Sequence, residues 1–179
     1  TKKPVCVYMD KSCETLALFL GIVYAGCFYV NIEPSHPAER INSIIGTLEA
    51  KILIVDDKSA KKAEKLGFEG TILNINELLN AKADDEAAYR LEYIRDNAID
   101  IDPLYSIFTS GSTGVPKGVI VNHRSVIDFI ETFTDKMGIG SDDIIGNQAP
   151  FDFDVSVKDI YSTLKCGATM QIIPKMLFS

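Results

Sequence analysis

Short apolar runs that alternate with helical patterns constrain this chain more than anything else in it. Residues 5–9, 28–32, 51–55 (KILIV), 70–75, 104–108, 119–121, 144–148 and 168–173 are rich in β-branched and aromatic side chains and read as strands. Helical patterns lie between them. The first runs from an N-cap at Ser12, with Glu14 in its first turn, to Tyr24, where Gly26 can take a left-handed cap. Others start at Pro37 and end near Leu48, or span 58–66, 125–136 and 154–164, the last stopped by Gly167. Strands separated by helices predict an α/β fold of mostly parallel sheets covered by helices. Such sheets bind ligands in loops beyond the strand C-terminal ends. The span 80–102 is rich in Ala, Asp and Glu and reads as a surface excursion. The expected organisation is a first α/β half over 1–80, a surface connection over 81–103 and a second half over 104–179.

The bulk numbers narrow the function classes. At 179 residues, 46% hydrophobic and 24% charged, the chain has the composition of a packed globular domain or a piece of one. Its net charge is −7, and its Lys and Arg residues are scattered singly, which argues against nucleic acid as a partner. Cys6, Cys13, Cys27 and Cys166 form no C-x-x-C pair and read as free thiols of a reducing, cytoplasmic setting. The uncharged stretch 16–30 (LALFLGIVYAGCFYV) is shorter than the roughly 20 residues a membrane span needs. It is expected to be a buried helix followed by a buried strand. The chain opens at Thr1 without a Met and shows no signal peptide.

The chemistry concentrates in 104–121, LYSIFTSGSTGVPKGVIV. Gly111 and Gly114 let the backbone turn tightly and aim N–H groups inward. Thr109, Ser110, Ser112 and Thr113 add hydroxyl donors, and Lys117 adds a mobile positive charge behind the stiff Pro116. Together they can cradle a di- or triphosphate. A plain Gly/Ser/Thr turn between strands is the alternative. The loop is not a Walker A motif, which is written G-x-x-x-x-G-K-S/T. Pro116 precedes the lysine, Gly118 follows it, and a strand rather than a helix comes next.

TSGSTGVPKG resembles the signature loop of the adenylate-forming (AMP-binding) superfamily. That superfamily includes amino-acid adenylation domains of non-ribosomal peptide synthetases, D-alanine–carrier protein ligases, acyl-CoA synthetases and luciferase-like enzymes. Two more segments carry the resemblance. Residues 20–40, LGIVYAGCFYVNIEPSHPAER, are similar to the family stretch LKAGGAYVPLDPxYPxER, with Cys27 for Gly, Glu33 for Asp and His36 for Tyr. Residues 151–167, FDFDVSVKDIYSTLKCG, are similar to the family's FDxS segment and its following helix. The resemblance covers about 5–174 and implies a central piece of the large N-terminal region. The adenine-closing segment, the ribose-binding Asp, the hinge, the C-terminal subdomain and its catalytic Lys are expected beyond the chain. No catalytic residue is therefore assigned within it.

The resemblance implies ATP and Mg2+ as cofactors. Thr109, Ser110, Gly111, Ser112, Thr113, Gly114 and Lys117 would hold the phosphates, with Thr113 the one candidate at the metal. Asp154 falls on the acidic residue that pairs with a substrate α-ammonium, a role that suits a close carboxylate. On the residues alone, Asp154 could equally cap the following helix, and Asp152 is the neighbouring competitor in the repeated FD. Phe153 would lie at the site floor, and Val155 and Lys158 would face the substrate, Lys158 pairing with an acidic or polar side chain or simply standing exposed on its helix. His36 and His123 carry little weight as bases. The implied activity is adenylation of an amino-acid carboxylate with release of pyrophosphate, then transfer to a phosphopantetheine thiol on a carrier protein. The alternatives are an acyl-CoA synthetase-like ligase and a catalytically incomplete nucleotide-binding piece.

Overall fold

The computed structural model describes residues 1–109 and 116–178. The strands are β1 (Pro4–Tyr8), β2 (Phe28–Asn31), β3 (Ile52–Val55), β4 (Thr71–Asn74), β5 (Pro103–Thr109), β6 (Lys117–Asn122), β7 (Ile144–Asn147) and β8 (Thr169–Ile172). The α-helices are α1 (Cys13–Tyr24), α2 (Ala38–Leu48), α3 (Asp57–Ala63), α4 (Ile75–Asn80), α5 (Asp85–Asn97), α6 (His123–Met137) and α7 (Val155–Cys166). Six strands form one sheet in the order β4-β3-β1-β2-β5-β6, and β7 and β8 form a separate parallel pair. Every pairing in the large sheet is parallel except β5–β6, which is antiparallel.

Local chemistry sets the helix boundaries. The Ser12 hydroxyl accepts from Thr15 N and starts α1. Asp56 and Ser59 make a reciprocal capping box at α3. Pro37 occupies the N-cap of α2, one residue outside the helix. Asn122 caps α6 by accepting from Ser125 N, so the helix begins at His123, two residues before the sequence suggests. Gly26 has φ +70, and a Cβ there would lie 2.7 Å from the Ile94 side chain, so only glycine fits where α1 turns into β2. The sequence misses α4. Asn74 ends β4 and caps that helix, and Ile75 is a buried helical residue rather than the end of a strand.

Two apolar clusters sandwich the large sheet. One joins Val5, Val7, Tyr29 and Tyr105 to Phe19 and Ile22 of α1, to Val126 and Ile130 of α6, and to Val157 and Ile160 of α7. The other packs Cys6, Tyr8, Val30 and Leu53 under Ile41, Ile44 and Ile45 of α2. Phe19 stacks on Tyr29 with ring centroids 4.0 Å apart, and Phe151 meets it edge-on at 5.8 Å. The stretch 16–30 is thus a helix buried on one face, with Leu20 and Tyr24 exposed, running into the fully buried β2. Helix α5 buries no residue, which fits the surface excursion. No helix among the described residues is long and apolar enough to cross a membrane.

Candidate active site

The candidate site lies where β5 ends and β6 begins. Antiparallel pairing sets Thr109 opposite Lys117 and Phe108 opposite Gly118. These pairs are the stems of the glycine-rich loop. Ser110, Gly111, Ser112, Thr113 and Gly114 lie outside the described residues, and Thr113, the one candidate at a metal, lies there with them. The stems are held from two sides. Arg40, on α2, donates from Nη2 to the Phe108 carbonyl at 3.1 Å. The Phe108 ring covers the Cα of Gly118, so that a Cβ there would lie 2.8 Å from it. Thr109 Oγ1 reaches the Lys117 carbonyl at 3.5 Å, which closes the stem.

Two cavities open beside the stems. One, about 530 Å³, is lined by His36, Arg40, Phe108, Thr109, Asp152 and Asp154. The other, about 460 Å³, is lined by Tyr105, Ser125, Phe129, Asp154, Val155 and Lys158. Asp154 faces both. It occupies the N-cap position of α7, yet its backbone is already helical (φ −58, ψ −33), and its side chain makes no cap hydrogen bond. Ser156 instead satisfies the turn, donating to the Phe153 carbonyl at 2.7 Å. Among the described residues Asp154 makes no ion pair. Its charge is felt by Tyr105, whose phenol pKa rises first through burial and then through Asp154.

The structure brings most of the expected substrate residues together and qualifies two of them. Phe153 is 55% exposed and stands at the rim of the 530 Å³ cavity, whereas the buried aromatic beneath is Phe151, at 4%. Lys158 lines the cavity but already has a partner, because its Nζ lies 2.6 Å from Asp159 Oδ1. Val155 is exposed and lines that cavity as well.

Two polar clusters join residues that the sequence does not bring together. His36 Nε2 lies 3.5 Å from Asp152 Oδ2, and His36 Nδ1 and Asp152 Oδ1 are buried without a hydrogen-bond partner among the described residues. Burial pushes the Asp152 carboxyl pKa up, opposed by the nearby positive charges of His36, Arg40 and Lys175. The only hint was His36 standing where the resembled pattern has Tyr. The second cluster links Lys11, Asn147 and Asp159, which lie far apart in sequence. Lys11 donates to the carbonyls of Asn147 (3.2 Å) and Gln148 (2.9 Å), and Asn147 Nδ2 donates to Asp159 Oδ2 at 3.0 Å. Burial lowers the Lys11 pKa, while Glu33 and Asp159 pull it back up.

No group of three His, Cys, Asp or Glu side chains that could hold a metal ion exists among the described residues. Mg2+ that arrives bound to phosphates needs only one or two protein ligands.

A mostly parallel sheet with a Thr/Lys-stemmed loop between β5 and β6, and beside it a carboxylate that makes no ion pair among the described residues, is a candidate ligand-binding site. Comparison with known proteins narrows this. The sequence model of the family described as AMP-binding enzyme matches residues 1–178, and the chain belongs to that family. The D-alanine–D-alanyl carrier protein ligase of Staphylococcus aureus (strain Newman) is 32% identical over 180 residues, covering 100% of this chain and 35% of the ligase. The chain therefore spans about a third of the length of the curated relatives it matches. Among solved structures, the non-ribosomal peptide synthetase FmoA3 in its α-methyl-L-serine-AMP bound form aligns with TM-score 0.79 and 25% identity, over 96% of this chain and 18% of that one. The four-domain synthetase holo-AB3403, bound to AMP and glycine, aligns with TM-score 0.77 and 26% identity, over 97% of this chain and 12% of that one.

Proposed function

We propose that the protein carrying this chain activates an amino-acid carboxylate with ATP and passes it to the phosphopantetheine thiol of a carrier protein. In the first step a carboxylate oxygen attacks the α-phosphorus of ATP. The acyl-adenylate forms and pyrophosphate leaves. In the second step the thiol sulfur attacks the acyl carbon and AMP leaves. The observation that carries the reading is Asp154: a carboxylate at a helix start that neither caps the helix nor pairs with a described cation, facing both cavities beside the loop stems. That is the arrangement an α-ammonium needs, and it disfavours a ligase for plain carboxylic acids. The relatives fit: one ligates D-alanine to a carrier protein, and two structural neighbours hold α-methyl-L-serine-AMP or AMP with glycine.

Within this reading Thr109, Ser110, Gly111, Ser112, Thr113, Gly114 and Lys117 hold the β- and γ-phosphates, and their donors offset the charge that grows on departing pyrophosphate. Thr113 is the one protein residue that would hold Mg2+, which would neutralise phosphate charge. Phe153, Asp154 and Val155 contact the amino acid, and Lys158, paired with Asp159, lines the cavity without engaging it. The chain corresponds to the central part of the N-terminal adenylation region, with 1–80, 81–103 and 104–179 as its halves and connection. No catalytic residue is assigned within the chain. Four free cysteines are consistent with a cytoplasmic setting.

The test is ATP–pyrophosphate exchange by the full-length protein across a panel of amino acids, both alanine enantiomers and simple fatty acids. Exchange driven by an amino acid and lost in Asp154→Ala is expected. Exchange driven only by acids lacking an amino group overturns the reading in favour of an acyl-CoA synthetase-like ligase.

A further inference from the structure

Asp154 and Lys158 sit one helical turn apart, an acid four residues before a lysine, and both line the same cavity. On a helix that spacing favours an ion pair between them. Such a pair would occupy the carboxylate that a substrate ammonium needs. It does not form. Lys158 turns to its sequence neighbour Asp159, at 2.6 Å.

Burial decides the competition. Asp159 is 5% exposed, whereas Asp154 is exposed. An ionised carboxylate out of water must be paired, so Asp159 attracts the ammonium more strongly than a solvated carboxylate can. Asp159 is itself fixed in place. Its second oxygen accepts from Asn147 Nδ2 at 3.0 Å, and Asn147 is fully buried at the end of β7. Lys11, at the start of α1, fastens that strand end through the Asn147 and Gln148 carbonyls. A contact chain thus runs from the large sheet, through β7, to the lysine beside the substrate cavity.

We infer that Asp159 is a positioning residue: it sequesters Lys158 and so keeps Asp154 free to receive the substrate ammonium. The inference rests on the amino-acid reading above and assigns a role to residues which that reading leaves out.

The experiment measures amino-acid and ATP KM by pyrophosphate exchange in the full-length protein, for whichever amino acid drives the wild type. Asp159→Asn keeps the shape and the Asn147 contact but releases Lys158 to Asp154. The amino-acid KM is expected to rise about two- to fivefold, the scale of a half-exposed helix ion pair, with kcat and ATP KM unchanged. The rise should shrink in high salt, which screens the competing pair. Adding Lys158→Met is expected to restore the wild-type KM, because no competitor remains. A KM that stays raised in the double variant, or a loss confined to kcat, makes Asp159 a plain structural acid and overturns the inference. The double variant leaves no lone buried charge, so it decides the question even if Asp159→Asn alone does not fold. Wild-type protein that exchanges with no amino acid refutes the underlying reading instead, and the two failures are told apart.

Discussion

Gly118 should be irreplaceable for a steric reason that bears on nucleotide binding. It is the second residue of β6, opposite Phe108, and the Phe108 ring lies across it. An added Cβ would meet one ring carbon at 2.8 Å and two more at 3.2 Å. Gly118 does not have a positive φ, so the clash alone sets the penalty. The ring's movement is limited because it packs against the second apolar cluster. Overpacking of this kind costs about 1–3 kcal/mol. For a folding unit as long as this chain, about 2 kcal/mol corresponds to a Tm lowered by roughly 4–8 °C, and by less in the longer full-length protein. The strain falls on the stem that fixes Thr109 opposite Lys117, so Gly118→Ala should raise ATP KM while leaving amino-acid KM near wild type. Thermal melts and pyrophosphate exchange in the full-length protein read both effects. Phe108→Leu in the Gly118→Ala background should recover part of the Tm and of the ATP affinity, because the obstructing ring is gone. A Gly118→Ala variant with unchanged Tm and ATP KM would refute the reasoning, as would a double variant worse than the single.

Phe19→Ala should cost about 3–5 kcal/mol in urea unfolding, because it removes a buried ring packed against both Tyr29 and Phe151. His123, the first residue of α6, has its pKa lowered from 6.5 by burial, with Asp102 opposing. The unfolded chain therefore binds this proton more readily than the folded one, and stability falls as pH drops below 6.5 through the folded pKa. A His123→Gln variant should lose that part of the acid sensitivity, seen as a smaller decline in stability between neutral and mildly acidic pH. An unchanged decline would mean that His123 titrates alike in both states.

The strands and most helices were legible because their signals are local. KILIV reads as a buried strand from its composition, and it is one. Ser12 and Asp56 act through neighbours three residues on, which a linear reading can see. Helix α4 escaped because Ile75 fits a strand run and a buried helical turn equally well; only the Asn74 cap separates the two. The antiparallel return of β6 was also hidden, since strand composition carries no direction.

The site divides along the same line. The loop stems and the place of Asp154 at the start of α7 were legible because residue types at fixed spacing mark them. What a side chain does once folded was not. Lys158 reads as a substrate-facing ammonium or an idle surface lysine, and the structure makes it the partner of a buried acid. That outcome depends on Asn147 and Lys11, respectively 11 and 147 residues before Lys158, and on how deeply β7 buries Asp159. His36 meets Asp152 across a comparable gap. Motifs state which charges are present, but only the packing of distant strands decides which of them remain free to meet a ligand. Here Asp154 makes no ion pair among the described residues, and Lys158, one helical turn on, has a deeper partner.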